Sequence, residues 1–99
     1  MEVTIQSIRF DADQRLTELV HKQLEKVLRF DNGILDAQVF LKLDADRGGF
    51  HEKVVEIKLH RPGKTFIAKA ERSTFEEALD EAIDGLLTQV KKLRDKQKE

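Results

Sequence analysis

Positively charged side chains concentrate near the carboxyl end of this 99-residue chain, where they can bind a polyanion. The last third is predicted to form one long amphipathic helix, acidic in its first half and basic in its second. The basic members are Lys91, Lys92, Arg94, Lys96 and Lys98. Acidic residues near the start of a helix and basic residues near its end interact favourably with the helix dipole, so stability alone can explain the pattern. Phosphate binding and dipole compensation both remain open at this point.

A second basic group lies on an earlier predicted helix. Lys22, Lys26 and Arg29 follow one another at spacings of four and three, so they share roughly one outward face. Each phosphate that a cation neutralises releases counterions, so several convergent Lys and Arg side chains supply affinity without reading bases. Two helices that both carry such residues favour the polyanion interpretation.

Catalytic and metal-binding patterns are weak. The histidines, His21, His51 and His60, are scattered, which is typical of ordinary surface histidines. Asp44 and Asp46 lack the downstream glutamate of a calcium loop, while Asp80 and Asp84 belong to a face predicted to be solvated. The chain has no cysteine, and no serine has a histidine near it in sequence. We therefore expect no enzyme activity and no cofactor.

Composition predicts one domain with one modest core, because 39% of the residues are hydrophobic. The charged fraction is 37% but the formal net charge is only -1, so any nucleic-acid role must rest on local asymmetry. No stretch approaches the roughly 20 apolar residues of a membrane span, and the amino terminus shows no signal-peptide pattern. We expect a soluble, cytoplasmic protein.

Hydrophobic periodicity predicts the element order β-α-β-β-β-α. The predicted strands cover 3–8, 35–43, 53–60 and 65–70. Asp11 or Asp13 is expected to cap the first helix, and Asp31-Asn32-Gly33 to end it, with Asn32 or Gly33 able to take a positive φ. Ser73 with Glu76, or Thr74 with Glu77, is expected to form a capping box for the second helix.

These elements predict an α+β fold in which a four-stranded sheet carries both helices on one face. Asp44 to Gly49 is predicted to be a flexible loop, and Arg61-Pro62-Gly63-Lys64 a turn. The helices would bury their apolar stripes against the sheet and leave its other face exposed to solvent. We expect one domain over 1–96, followed by a frayed tail over 97–99.

Several short segments, in this order and spacing, resemble one known family. They are Phe40-Leu41-Lys42-Leu43, Val54-Val55-Glu56-Ile57-Lys58-Leu59, Pro62-Gly63-Lys64, Phe75-Glu76-Glu77-Ala78 and Gln89-Val90-Lys91-Lys92. The chain resembles the short form of the ribosome hibernation promoting factors, also called ribosome-associated inhibitors or sigma-54 modulation proteins. The resemblance covers essentially the whole chain. It implies a fold similar to a double-stranded-RNA-binding domain with an added amino-terminal strand.

The resemblance also implies a function and a binding site. Such a protein would bind the small ribosomal subunit in the channel used by messenger RNA and transfer-RNA anticodon arms, and so inhibit translation in starved or stationary cells. Ribosomal RNA and adjoining ribosomal proteins would be its partners, with no membrane and no small-molecule substrate. The implied RNA-binding residues are Lys22, Lys26, Arg29, Lys91, Lys92, Arg94 and Lys96. Unlike many relatives, this chain has no basic residue near Gly85 or Thr88.

An alternative function is a protein-interaction module that uses the exposed sheet face and the acidic half of the second helix. Phe40 alternates with the apolar residues of its strand, so it is expected on the opposite face or under a helix end. Phe30, Phe40, Phe50 and Phe66 can also stack on bases, although Phe66 and Phe75 suit the core better. RNA binding should weaken steeply with salt, whereas an apolar interface should not.

Overall fold

Two helices and four strands make up the computed structural model, which describes residues 1–44 and 52–97. The elements are β1 (Glu2–Ile8), α1 (Gln14–Leu28), β2 (Asp36–Asp44), β3 (Glu52–Arg61), β4 (Lys64–Arg72) and α2 (Phe75–Gln97). This order confirms the predicted α+β fold. Most of the predicted loop, together with Phe50 and His51, lies outside the described residues. The predicted tail overlaps α2 only at Gln97, and its last two residues also lie outside them.

The sheet has the strand order β1-β2-β3-β4. β1 pairs with β2 in parallel, with Val3 opposite Ala37, and α1 forms the crossover that such a pair requires. β2, β3 and β4 form an antiparallel meander, with Leu41 opposite Val55 and Ile57 opposite Ala68. The sheet is therefore mixed, and β1, β2 and β4 run in the same direction.

One hydrophobic core lies between the sheet and the two helices. The sheet contributes Val39, Leu41, Val55, Ile57, Leu59 and Phe66, and the helices contribute Val20, Leu24, Val27, Leu79, Ile83, Leu86 and Val90. All of these side chains are almost completely buried, which confirms the predicted apolar stripes and the core position of Phe66. Phe75 is half-buried and stacks on Phe10, with ring centroids 4.7 Å apart.

Asp13, rather than Asp11, caps α1, because its carboxylate accepts a hydrogen bond from the Leu16 N–H at 2.8 Å. The predicted end of this helix is wrong. The helix ends at Leu28 with a right-handed cap at Arg29, and neither Asn32 nor Gly33 has a positive φ. No left-handed residue is needed because the backbone N–H groups of residues 30 and 31 both donate to the carbonyl of residue 27.

At the start of α2, Thr74 caps the helix as predicted, but its hydroxyl, rather than its backbone N–H, contacts the Glu77 carboxylate. The Glu77 N–H donates to the Thr74 hydroxyl at 3.1 Å, and that hydroxyl lies 3.1 Å from the Glu77 carboxylate. Ser73 also reaches the Glu77 carboxylate, at 3.5 Å. Acidic residues in this first turn face the positive end of the helix dipole, so capping and charge act together here.

Candidate nucleic-acid interface

The two helices end at the same end of the sheet. α1 must run back along the sheet to join parallel strands β1 and β2, and α2 follows β4 and packs against β3, β4 and α1. Arg29 at the end of α1, Arg61 at the end of β3 and Arg94 near the end of α2 line one cleft. Two negative helix ends therefore lie close together, surrounded by basic side chains.

We call this region the basic end. Its members are Arg29, Arg61, Lys64, Lys91, Lys92, Arg94 and Lys96. Five of these seven were expected from the sequence. Arg61 and Lys64 were not, because they belong to the turn between β3 and β4 and reach the helix ends only through the fold.

The arginine cleft at the basic end has a volume of about 410 Å³. It is lined by Arg29, Phe30, Asp31, Asn32, Gly33, Arg61, Val90 and Arg94. Arg61 forms an ion pair with Asp31, and both side chains are largely buried, at 21% and 10% exposure. Asp31 also accepts a hydrogen bond from the Gly33 N–H at 2.9 Å. Within 1–44 and 52–97, neither Arg29 nor Arg94 forms an ion pair.

Phe30 stands at the rim of this cleft. Its side chain is 39% exposed, and the Lys91 ammonium lies 4.8 Å from the centroid of its ring. This distance is within the range of a cation–π interaction, which positions Lys91 beside the cleft. An exposed aromatic ring therefore adjoins three cations that come from two helix ends.

The lysine cleft lies on another side of α2 and has a volume of about 200 Å³. Its lining residues are Lys64, Phe66, Gln89, Lys92, Leu93 and Lys96. Gln89 donates a hydrogen bond to the Ile67 carbonyl at 2.8 Å, which ties α2 to the edge strand β4. This contact holds the basic last turns of the helix beside the start of β4.

The first helix does not present its three predicted residues at one place. Arg29 lies in the arginine cleft, and Lys26 is exposed in the last turn of α1. Lys22 instead lines a groove of about 1000 Å³ between the starts of the two helices, together with Asp13 and Glu76. This groove has mixed charge, since Arg15 and Lys53 line it as well, and Lys22 lines neither of the two clefts at the basic end.

The acidic half of α2 lies toward the other end of the molecule, whose longest dimension is 50 Å. Asp80 is exposed as predicted, but it also accepts a hydrogen bond from the buried Gln23 amide at 2.6 Å and so joins α2 to α1. Glu81 approaches Arg72 at 4.0 Å, an exposed pair of small energetic value. The first turn of α2 is therefore acidic, and its last turn is basic.

Phe40 lies on the helix-free sheet face, which is the face opposite the two helices. The Lys58 ammonium lies 5.6 Å from the centroid of its ring. Ile67 is 50% exposed on the same face, but Lys58 lies directly opposite it in the strand register. A lysine therefore interrupts the apolar surface between these two residues.

The two histidines that the structure describes lie in separate places. His60 Nδ1 lies 2.5 Å from the Asp36 carboxylate on the helix-free face, and His21 is exposed on α1. Over the part of the chain that the structure describes, no three His, Asp or Glu side chains are grouped to hold a metal ion. Neither α1 nor α2, within the same part, combines the length and apolar character needed to cross a membrane.

Comparison with known proteins identifies a family and two similar structures. The protein-family model described as "Sigma 54 modulation protein / S30EA ribosomal protein" matches residues 3–98. A ribosomal subunit interface protein from Coxiella burnetii is similar in fold, with a TM-score of 0.85, 22% sequence identity, and coverage of 96% of this chain and 99% of that one. The Protein Y N-terminal domain from Thermus thermophilus gives a TM-score of 0.80 and 28% identity, and the similarity covers 94% of this chain and 99% of that one. No curated protein sequence matches this chain.

Proposed function

This chain belongs to the sigma 54 modulation protein / S30EA ribosomal protein family, and we propose that it binds the small ribosomal subunit and inhibits translation. In this proposal the protein occupies the channel used by messenger RNA and transfer-RNA anticodon arms in starved or stationary cells. The Coxiella burnetii relative is named a ribosomal subunit interface protein, which supports a ribosomal partner here. The protein then acts in the cytoplasm, by occupancy, without catalysis and without a cofactor.

The observation that carries this proposal is the convergence of seven basic side chains from α1, α2 and the β3–β4 turn. Among the residues that the structure describes, Asp31 is the only acidic one that lines either cleft. Such a surface gains affinity for phosphates through counterion release, although the net charge of the protein is close to zero. It recognises the shape and backbone of RNA rather than a base sequence.

Co-sedimentation with purified small ribosomal subunits at low and high salt tests the proposal. We expect the wild-type protein to pellet with the subunits at low salt and to be released at high salt. The variant Lys91→Glu/Lys92→Glu/Arg94→Glu should stay in the supernatant, because it reverses three charges at the basic end.

A matched control is Arg15→Glu/Lys69→Glu/Arg72→Glu, which changes the net charge equally. These three residues are exposed and line neither cleft. The control should bind as the wild type does. Absence of wild-type binding even at low salt would rule out the ribosomal role. Equal loss of binding in both variants would show that overall charge, rather than the basic end, governs binding.

The alternative function, protein recognition through the helix-free sheet face, has weaker support. Phe40 and Ile67 are its apolar candidates, and Lys58 lies between them. Protein interfaces are depleted of charged residues at their centres, so this arrangement is unfavourable for an apolar contact. Subunit binding that persists at high salt and is lost on Ile67→Asp would favour this alternative.

A further inference from the structure

We propose that the arginine cleft holds a single nucleotide of an RNA strand whose base is unpaired. In this arrangement Arg29 and Arg94 bind the phosphate and the Phe30 ring stacks on the base. The inference rests on the proposed function and deepens it, since it specifies what kind of RNA the basic end selects.

The two arginines are free to bind a phosphate. Arg61 is already paired with the buried Asp31 carboxylate, and Asp31 is held in turn by the Gly33 N–H. Arg29 and Arg94 have no such partner among the residues that the structure describes. Their guanidinium groups can donate two parallel hydrogen bonds to phosphate oxygens, and the Asp31–Arg61 pair gives the cleft a fixed wall.

The cleft has room for a base beside the phosphate. Its volume of about 410 Å³ lies within the range of small-ligand pockets. Phe30 lines it and is 39% exposed, although it belongs to a residue type that is usually buried. Lys91, whose ammonium lies over the Phe30 ring, adds a positive charge beside the cleft.

Stacking on Phe30 requires an unpaired base. In an RNA duplex each base is stacked between its neighbours, so a protein reaches mainly phosphates and 2′-hydroxyls. A base in a single strand or bulge can be splayed out onto an aromatic ring. The cleft therefore distinguishes single-stranded from duplex RNA, whereas the lysines of the basic end do not.

Fluorescence anisotropy with two labelled RNAs tests this inference on the full chain. One RNA is an oligoadenylate of eight nucleotides, and the other is a perfectly paired duplex. Phe30→Leu should weaken binding of the single strand at least about fivefold, since stacking on one aromatic ring contributes that much. Its affinity for the duplex should stay within about twofold, because no phosphate-binding group is lost.

Phe40→Leu is the matched control, because Phe40 also lies beside a lysine but on the helix-free face. Phe40→Leu should leave the affinities for the single strand and for the duplex unchanged. A thermal melt verifies that each variant is folded. The variant Arg29→Gln/Arg94→Gln should weaken the binding of both RNAs. Adenosine 5′-monophosphate, the free-nucleotide probe, should compete only weakly; competition as strong as that of the unlabelled octamer would overturn the assignment to a strand.

Equal effects of Phe30→Leu on single strand and duplex, or no effect on either, would overturn the nucleotide cleft. Co-sedimentation of the wild type with small subunits, measured in parallel, keeps the two proposals separate. If the wild type binds subunits but Phe30→Leu does not selectively weaken single-strand binding, the nucleotide cleft is refuted and the ribosomal role is not. Selective single-strand binding without subunit binding would refute the ribosomal role and support the cleft.

Discussion

Gln23 shows, at the scale of single residues, how a polar group can be accommodated in the core. It lies on the buried side of α1 with 9% of its surface exposed, and its amide donates to Asp80 on α2 at 2.6 Å. A buried donor without a partner would lose its hydrogen bonds to water and gain nothing in return. The Asp80 carboxylate therefore stabilises the contact between the helices as well as carrying charge.

Asp80→Ala should lower the free energy of unfolding by about 1–2 kcal/mol, because it leaves the Gln23 amide without its acceptor. Urea denaturation followed by circular dichroism measures this change. Asp84→Ala is the control: it removes the same charge one turn later from an exposed position, and both changes gain similar helix propensity. Identical urea midpoints for the two variants would contradict the role assigned to Asp80.

Gly85 is a weak point of the α2 helix at the scale of secondary-structure elements. Glycine in a helix interior costs about 1 kcal/mol relative to alanine. A Cβ atom added at Gly85 would meet the Ala68 Cβ at 3.7 Å, an ordinary van der Waals distance. Nothing in the packing against β4 therefore requires a glycine at this position.

Gly85→Ala should raise the free energy of unfolding by about 0.5–1 kcal/mol, since it restricts the unfolded chain and fits the folded one. Gly63→Ala should have the opposite sign, because Gly63 has a φ of 78° in the β3–β4 turn, where a side chain is strained. Scanning calorimetry of both variants shows whether each melting temperature rises or falls relative to the wild type. A lower melting temperature for Gly85→Ala would show that the helix needs close approach at this point.

At the scale of the whole molecule, charge distribution matters more than net charge. The helix ends place basic residues at one end of a 50 Å long protein, while acidic residues fill the first half of α2. In 0.1 M salt, exposed charges more than about 10 Å apart interact only weakly, because the dissolved ions screen them. The basic end can therefore attract RNA although the formal net charge is -1.

The logarithm of the affinity for small subunits should fall linearly with the logarithm of salt concentration. Each phosphate contact contributes about 0.7–0.9 to the slope. The triple variant Lys91→Gln/Lys92→Gln/Arg94→Gln should therefore reduce the slope by about 2–3 relative to the wild type. Arg15→Gln/Lys69→Gln/Arg72→Gln should leave it unchanged. A slope that is insensitive to both variants would place the RNA contacts outside the basic end.

Local patterns along the chain were sufficient to predict the elements and their order. Alternation marked the strands, periodicity marked both buried stripes, and the capping side chains lay within one turn of each helix start. These signals depend on residues two to four positions apart, so they can be read without knowledge of the fold. The end of α1 was mispredicted because backbone hydrogen bonds to the Val27 carbonyl replaced the expected left-handed residue.

Contacts between residues far apart in sequence were decided only by the tertiary structure. The arginine cleft joins Arg29, Arg61 and Arg94, and the sequence separations between them leave no local signal of their proximity. The same is true of Gln23 and Asp80, which are 57 residues apart. Lys22 shares a helix face with Arg29 in sequence, yet it lines a separate groove that contains side chains of both charges. Residue types thus indicated a polyanion-binding chemistry, while the parallel arrangement of the two helices determined where that chemistry can act.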